Sequence, residues 1–302
     1  MITDTAGLIR EITARTARSP RSSALLSALL GAYQSFAPLT ERLVRVAATA
    51  PRYRRLTEFT LNLCDWLCRT GRFSAGGSDE PLFPGLARKA FYESEEIPWI
   101  GDVERAADVV RRELLALRGK EAFRVYQQPH GAELPVHGQW NTFNFYHSGH
   151  TFEDNCQRCP ETTKLLASVP GCFPAPGIAK FSALAPGTHI TAHRGFGNFK
   201  LRCHLALTDS RGCEMRVADE VRGWEDGKCL VFDDSLEHEV WNRGGLTRVV
   251  LLFDFWHPEL DLHEVELLQD IIAFFHQLRY FDEWKASQTT MLPAQDEDHW
   301  WV

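Results

Sequence analysis

Between residues 122 and 255 the sequence breaks into short stretches rich in aromatic and β-branched residues, separated by Gly and Pro. They run Phe123–Tyr126, Trp140–Tyr146, Ala179–Ala185, Leu201–Leu207, Cys213–Val217, Cys229–Phe232 and Thr247–Phe255. Segments of this length, composition and punctuation read as strands, and so many in succession predict an all-β sandwich or jelly roll.

Either side of that block the apolar residues recur with a helical period. Leu25, Leu26, Leu29, Leu30, Tyr33 and Phe36 step by three and four, as do Leu56, Phe59, Thr60, Leu63, Trp66 and Leu67. Asp102–Arg118 and Leu260–Phe281 carry the same pattern. Ser74–Asp79 is rich in turn formers, and Pro81 and Pro84 cannot continue a helix, so a boundary is expected near residue 75. The expected organisation is a helical extension over 1–75 and a mainly β domain over 76–302, with its core at about 122–260 and a helix after it. No internal repeat or long low-complexity tract is evident.

Composition narrows the function. A chain of 302 residues that is 44% hydrophobic can bury a sizeable core. Its net charge of -7 argues against a nucleic-acid partner, since polyanion binding needs clustered Lys and Arg. Eight cysteines are too sparse for a disulfide-built fold, and no stretch reaches the ~18 apolar residues of a membrane span. A cytoplasmic, reducing setting is therefore the expectation. The Arg- and Ser-rich start also has the flavour of a transit peptide, against which stand Asp4 and Glu11. Cys156-Gln157-Arg158-Cys159 has a metal or redox spacing but lacks a second ligand pair and a βαβ setting, so two unreactive thiols are expected. Cys64 and Cys68 share a helical face and read as small core residues.

Three residues point to chemistry. His193 and His238 both sit at edges of strand-like segments, and Arg248 follows ten residues later at the head of an apolar strand. A cation buried on a strand needs an anion, so the trio reads as a site for a metal and an oxo-acid. Arg202 and His204 alternate out of an apolar strand and share a face; that face is either solvated or ligand-binding. Asp234 lies in the polar turn Asp233-Asp234-Ser235, where a turn cap is one reading. Trp140 has core packing as its simplest role. His189, four residues before His193 in a β-like context, reads as structural.

Taken together, Phe181–Ile190, His193-Arg194-Gly195, Leu201–Leu207, Gly227–Ser235, Glu237–Trp241 and Trp256–Leu260 resemble the aspartyl/asparaginyl β-hydroxylase family. The resemblance covers roughly Phe123–Leu260, echoes weakly in Leu82–Leu86, and leaves the first 75 residues unmatched. It implies a double-stranded β-helix, a cupin-like jelly roll, that binds Fe(II) and 2-oxoglutarate and uses O2 to hydroxylate a carbon, releasing succinate and CO2. Ascorbate would serve as reductant in vitro. Most such oxygenases hold iron with two histidines and a carboxylate. Here the carboxylate position, two residues after His193, is Gly195, an absence the family shares.

On that resemblance His193 and His238 are the metal ligands, and Arg248 with Ser182 receives the C5 carboxylate of the cosubstrate. Arg202 and His204 orient its C1 carboxylate, Trp140 lines the pocket, and Asp234 hydrogen-bonds water on the metal. Arg194, beside His193, is a candidate contact for an acidic substrate group, although a regular strand points it away. The implied substrate is an aspartyl or asparaginyl side chain in a protein or peptide, or a smaller amino-acid-like molecule. Two other functions stay open: a halogenase, with chloride at the missing carboxylate's position, and a binding module without catalysis. Oligomeric state is not legible.

Overall fold

The computed structural model describes residues 2, 4–19, 21–70, 80–117, 123–125, 136–147, 149–172 and 177–277. The Ser74–Asp79 linker, Tyr126 and the last four residues of the helix expected over 260–281 lie outside these. The chain divides into two compact units. Among the described residues, one comprises those up to Ala87, Phe196–Phe199 and Pro258–Gln277; the other comprises Arg88–Gly195 and Lys200–His257.

The first unit is helical: α1 (Thr5–Thr16), α2 (Ser22–Gly31), α3 (Tyr33–Thr49), α4 (Arg54–Thr70) and the later α9 (Leu262–Gln277). Asp4 caps α1, its Oδ1 accepting from the Gly7 N–H at 2.6 Å. The apolar stripe of α4 that the sequence displays is buried through Leu56, Phe59, Leu63 and Trp66, with Cys64 and Cys68 among them. Phe36 of α3 stacks on Phe274 of α9, with ring centroids 5.1 Å apart.

The second unit carries two antiparallel sheets. The larger runs β1 (Phe91–Tyr92), β11 (Cys229–Phe232), β8 (Lys200–Ala206), β13 (Arg248–Trp256), β6 (Ile178–Leu184), β4 (Trp140–His147), β2 (Arg124–Val125), with β5 (His150–Thr151) added to β4. The smaller runs β10 (Glu220–Gly223), β9 (Cys213–Val217), β12 (His238–Asn242), β7 (His189–His193), β3 (Val136–His137). The expected jelly-roll fold with helical additions is thus the observed one. The expected helix over 102–118 is two, α5 (Ile100–Arg105) and α6 (Ala107–Ala116), broken at Ala106 although the apolar period runs through.

Strand period two sorts the large sheet into two faces. Phe181, Leu201, Cys203, Leu251 and Phe253 face one way, into a core shared with Val103, Val110 and Leu114 of α5 and α6 and Leu166 of α8 (Pro160–Ser168), which follows α7 (Glu153–Arg158). Leu184 and Phe232 face the other way and share a cluster with Ile190, Met215, Val217 and Val240 of the small sheet. That second cluster is the interior between the sheets. Covered on both faces, β13 is buried at all nine positions, which is why it reads after Arg248 as an apolar run broken by Asp254 alone. Cys156 and Cys159 are buried around α7, and burial pushes the Cys159 thiol up to about 12, as unreactive thiols require.

Candidate active site

The site is built on the interior face. β12 pairs with β7 so that His238 lies opposite His193, and their rings stand 4.1 Å apart between centroids. Nδ1 of His193 is 2.8 Å from the Thr191 carbonyl and Nδ1 of His238 is 2.9 Å from the Leu236 carbonyl. A carbonyl only accepts, so Nδ1 carries the proton on both rings and Nε2 holds the lone pair. Burial lowers the pKa of both, that of His238 far below the ordinary value with His193 adding to the shift. Two neutral imidazoles with fixed tautomers suit a divalent metal. Among the described residues no set of three or more His, Cys, Asp or Glu is placed to hold one.

Gly195 is where a third ligand would stand, and its surroundings explain the glycine. A Cβ there would collide with the carboxylate of Asp234, whose backbone carbonyl accepts the Gly195 N–H at 2.6 Å. Asp234 is fully buried and held by Lys200 Nζ, 2.7 Å from both carboxylate oxygens, and by Arg202 Nη2 at 3.0 Å. These cations keep its carboxyl below the usual range despite burial, which acts to raise it. The turn is capped instead by Asp233, whose Oδ1 accepts the Ser235 N–H at 2.9 Å.

Register places the other candidates together. Arg248 lies opposite Leu184 and Val250 opposite Ser182, while Leu252 faces His204 and Asp254 faces Arg202. Arg248, Ser182, His204 and Arg202 therefore share the interior face. The solvated reading of Arg202 and His204 does not hold. Arg202 Nε donates to Asp254 Oδ1 at 2.7 Å, and His204 is buried with neither ring nitrogen hydrogen-bonded.

Arg248 is 1% exposed, and its Nε and Nη1 have no hydrogen-bond partner. Burial pushes its pKa down to about 10, with Cys213 partly offsetting the shift. Trp140 is pinned on the same face, its Nε1–H donating to Ser182 Oγ at 2.9 Å. Arg194, just past β7, donates from Nη1 to the Ser235 carbonyl at 3.3 Å. His189 is held by Glu239 at 3.1 Å and stacks on Trp241, in keeping with a structural role.

Sequence reasoning missed Lys180, Lys200, Asp254 and Trp224. Lys180 and Lys200 alternate with Ser182 and Arg202, so period two would have put them on the same face once that face was known. Lys180 sits 4.8 Å from the Trp140 ring centroid, and burial, then Arg202, pushes its pKa down to about 7. The interior face thus carries Lys180, Lys200, Arg202 and Arg248, of which Lys200 and Arg202 pair with Asp234 and Asp254, an excess of cations over carboxylates.

The sequence profile described as Aspartyl/Asparaginyl beta-hydroxylase matches residues 104–258, just over half of the chain and all of the site. The chain belongs to that family. The human aspartyl/asparaginyl beta-hydroxylase is 38% identical over 183 residues, which are 58% of this chain and 24% of the human protein. The chain thus spans about a quarter of that relative's length. The ornithine lipid ester-linked acyl 2-hydroxylase of Rhizobium tropici is 31% identical over 229 residues, 73% of this chain and 77% of its own. A solved oxidoreductase of the 2OG-Fe(II) oxygenase family from Burkholderia pseudomallei aligns over 52% of this chain and 90% of its own, at 12% identity and a TM-score of 0.37, a likeness too slight to argue from.

Proposed function

We propose that this β-hydroxylase-family chain is an Fe(II)- and 2-oxoglutarate-dependent oxygenase that hydroxylates a carbon next to a carbonyl group. The observation that carries the reading is Arg248, a buried guanidinium with two nitrogens unmatched, on the same interior face as a pair of neutral imidazoles. Leaving a buried cation unpaired costs several kcal/mol, which a ligand carboxylate recovers by bidentate hydrogen bonding. Arg248 and the Ser182 hydroxyl would hold the far carboxylate of the cosubstrate, and His204 would orient the end that meets the metal. His193 and His238 would bind iron through Nε2. When bound, iron and cosubstrate supply the oxidising power, one atom of O2 entering succinate and the other the product.

The chain's own residues bind, orient and shield. Trp140 fixes the Ser182 hydroxyl rotor through its indole N–H, so the oxygen presents its remaining hydrogen to an anion. Lys200 and Arg202 hold Asp234 in the space next to Gly195. A halide placed there would meet that carboxylate, which weighs against a halogenase. The intact imidazole pair and the buried guanidinium weigh against a binding module without catalysis, for which both would be costly.

What the names of the relatives share supports the substrate reading. The β-carbon of an aspartyl residue is bonded to its side-chain carboxyl carbon, and position 2 of an ester-linked acyl chain is bonded to the ester carbonyl. Lys180 and Arg194 are the cations we assign to the polar end of such a substrate. In air, with Fe(II), ascorbate and 2-oxoglutarate, the purified protein is expected to form succinate, and His193→Ala and His238→Ala are each expected to lose it. Equal succinate from the wild type and both variants would refute the reading.

A further inference from the structure

Trp224 belongs to no strand and to no motif noted above; it lies after Gly223 in the loop from β10 to β11. The Arg248 guanidinium carbon stands 4.5 Å from its ring centroid. His204 stacks on the other neighbouring position, nearly parallel to the indole at 13° with centroids 5.9 Å apart. The Trp224 Nε1 is buried and has no hydrogen-bond partner. It shares this with Arg248 Nε and Nη1 and with both nitrogens of His204, so three touching side chains hold five buried polar atoms that lack partners.

Buried donors are almost always satisfied, and an indole used only as filler would be replaced at no cost by a ring without an N–H. A cation over an indole face is attracted to it and held in plane, which fixes the direction in which the guanidinium fork points. A cluster of donors around one cation is what a carboxylate with several lone pairs satisfies.

We infer that Trp224 is part of the cosubstrate pocket: its ring face positions Arg248, and its Nε1–H donates to the same carboxylate that Arg248 binds. The inference rests on the oxygenase reading and extends it to a residue to which that reading gives no task. It separates two functions of one side chain. Trp224→Phe keeps a ring face and removes the donor, whereas Trp224→Leu removes both.

The test is calorimetric titration of 2-oxoglutarate into the full chain saturated with Mn(II). Mn(II) binding is measured first on each variant, as a control that the imidazole pair is intact. Trp224→Phe should weaken 2-oxoglutarate about tenfold, the scale of one hydrogen bond to a charged group, and Trp224→Leu by about a further tenfold. 2-Oxopentanoate keeps the keto-acid end and lacks the far carboxylate, so it should bind the wild type and Trp224→Phe alike. Wild-type affinity for 2-oxoglutarate in Trp224→Phe would overturn the inference. So would an equal loss for both ligands, which would mark a general disturbance of the pocket. A wild type that binds Mn(II) but neither ligand would overturn the oxygenase reading and this inference with it.

Discussion

Gly195 and Asp234 show how a ligand can be absent for a positive reason. The carboxylate that other oxygenases place at position 195 has no room here, because Asp234 already fills that space and is anchored by Lys200 and Arg202. Gly195→Ala should therefore destabilise the protein by about 1–3 kcal/mol through overpacking, read as a lower thermal midpoint without metal. A midpoint unchanged in Gly195→Ala would mean that Asp234 moves aside freely. Lys180 gives a prediction with a definite sign. Its pKa is pushed down to about 7 in the fold from an ordinary 10.5, so between those values the unfolded chain binds more protons and stability rises with pH. Below 7 both states are protonated and the whole cost of the buried ammonium is present. Lys180→Met should thus raise the midpoint of the ligand-free protein, with a gain at about pH 6.5 that shrinks by about pH 9.5. A gain independent of pH would contradict the assignment.

At the scale of elements, most strands were legible, the short β9 and β11 to the residue, while β7, β12 and two-residue strands such as β1 and β3 were not. The stretches read from composition as Trp140–Tyr146, Ala179–Ala185 and Thr247–Phe255 match β4, β6 and β13 within a residue at each end, because aromatic and apolar residues recur along each of them. β7 and β12 carry His189, Thr191, Glu239 and Trp241 on a half-exposed face, which dilutes the apolar signal, and two-residue strands such as β1 and β3 have no period to detect. His193, His238 and Arg248 were visible as residue types at strand edges. Lys180 and Trp224 were hidden: the first because sequence does not say which face of a strand turns inward, the second because a loop has no period.

In the helical unit, α4 and α9 are joined by a buried ion pair with the same logic. Glu264 is fully buried and accepts from Arg55 Nε and Nη2, both at 2.6 Å, and from Arg52 Nη2 at 3.0 Å. Glu264→Gln keeps the shape and leaves Arg55 with a donor facing a donor. It should cost about 3 kcal/mol, measured by chemical denaturation. A change below about 0.5 kcal/mol would assign the docking of α9 to apolar contacts such as Phe36 with Phe274.

For the molecule as a whole, the sheets provide two kinds of interior. The face of the large sheet turned to α5, α6 and α8 is apolar and supplies stability, while the face turned to the small sheet surrounds an apolar cluster with buried cations and imidazoles. That second interior retains groups that raise the free energy of the empty fold, as expected where a site is prepared for a ligand. Arg248 is the sharpest case, so its replacement should separate stability from binding. Calorimetric titration of 2-oxoglutarate into wild type and Arg248→Met, each with and without Mn(II), is the most direct test. The oxygenase assignment predicts binding by the wild type that depends on the metal, and loss of that binding in a folded Arg248→Met. Binding that is absent from the wild type, or the same with and without metal, would contradict it.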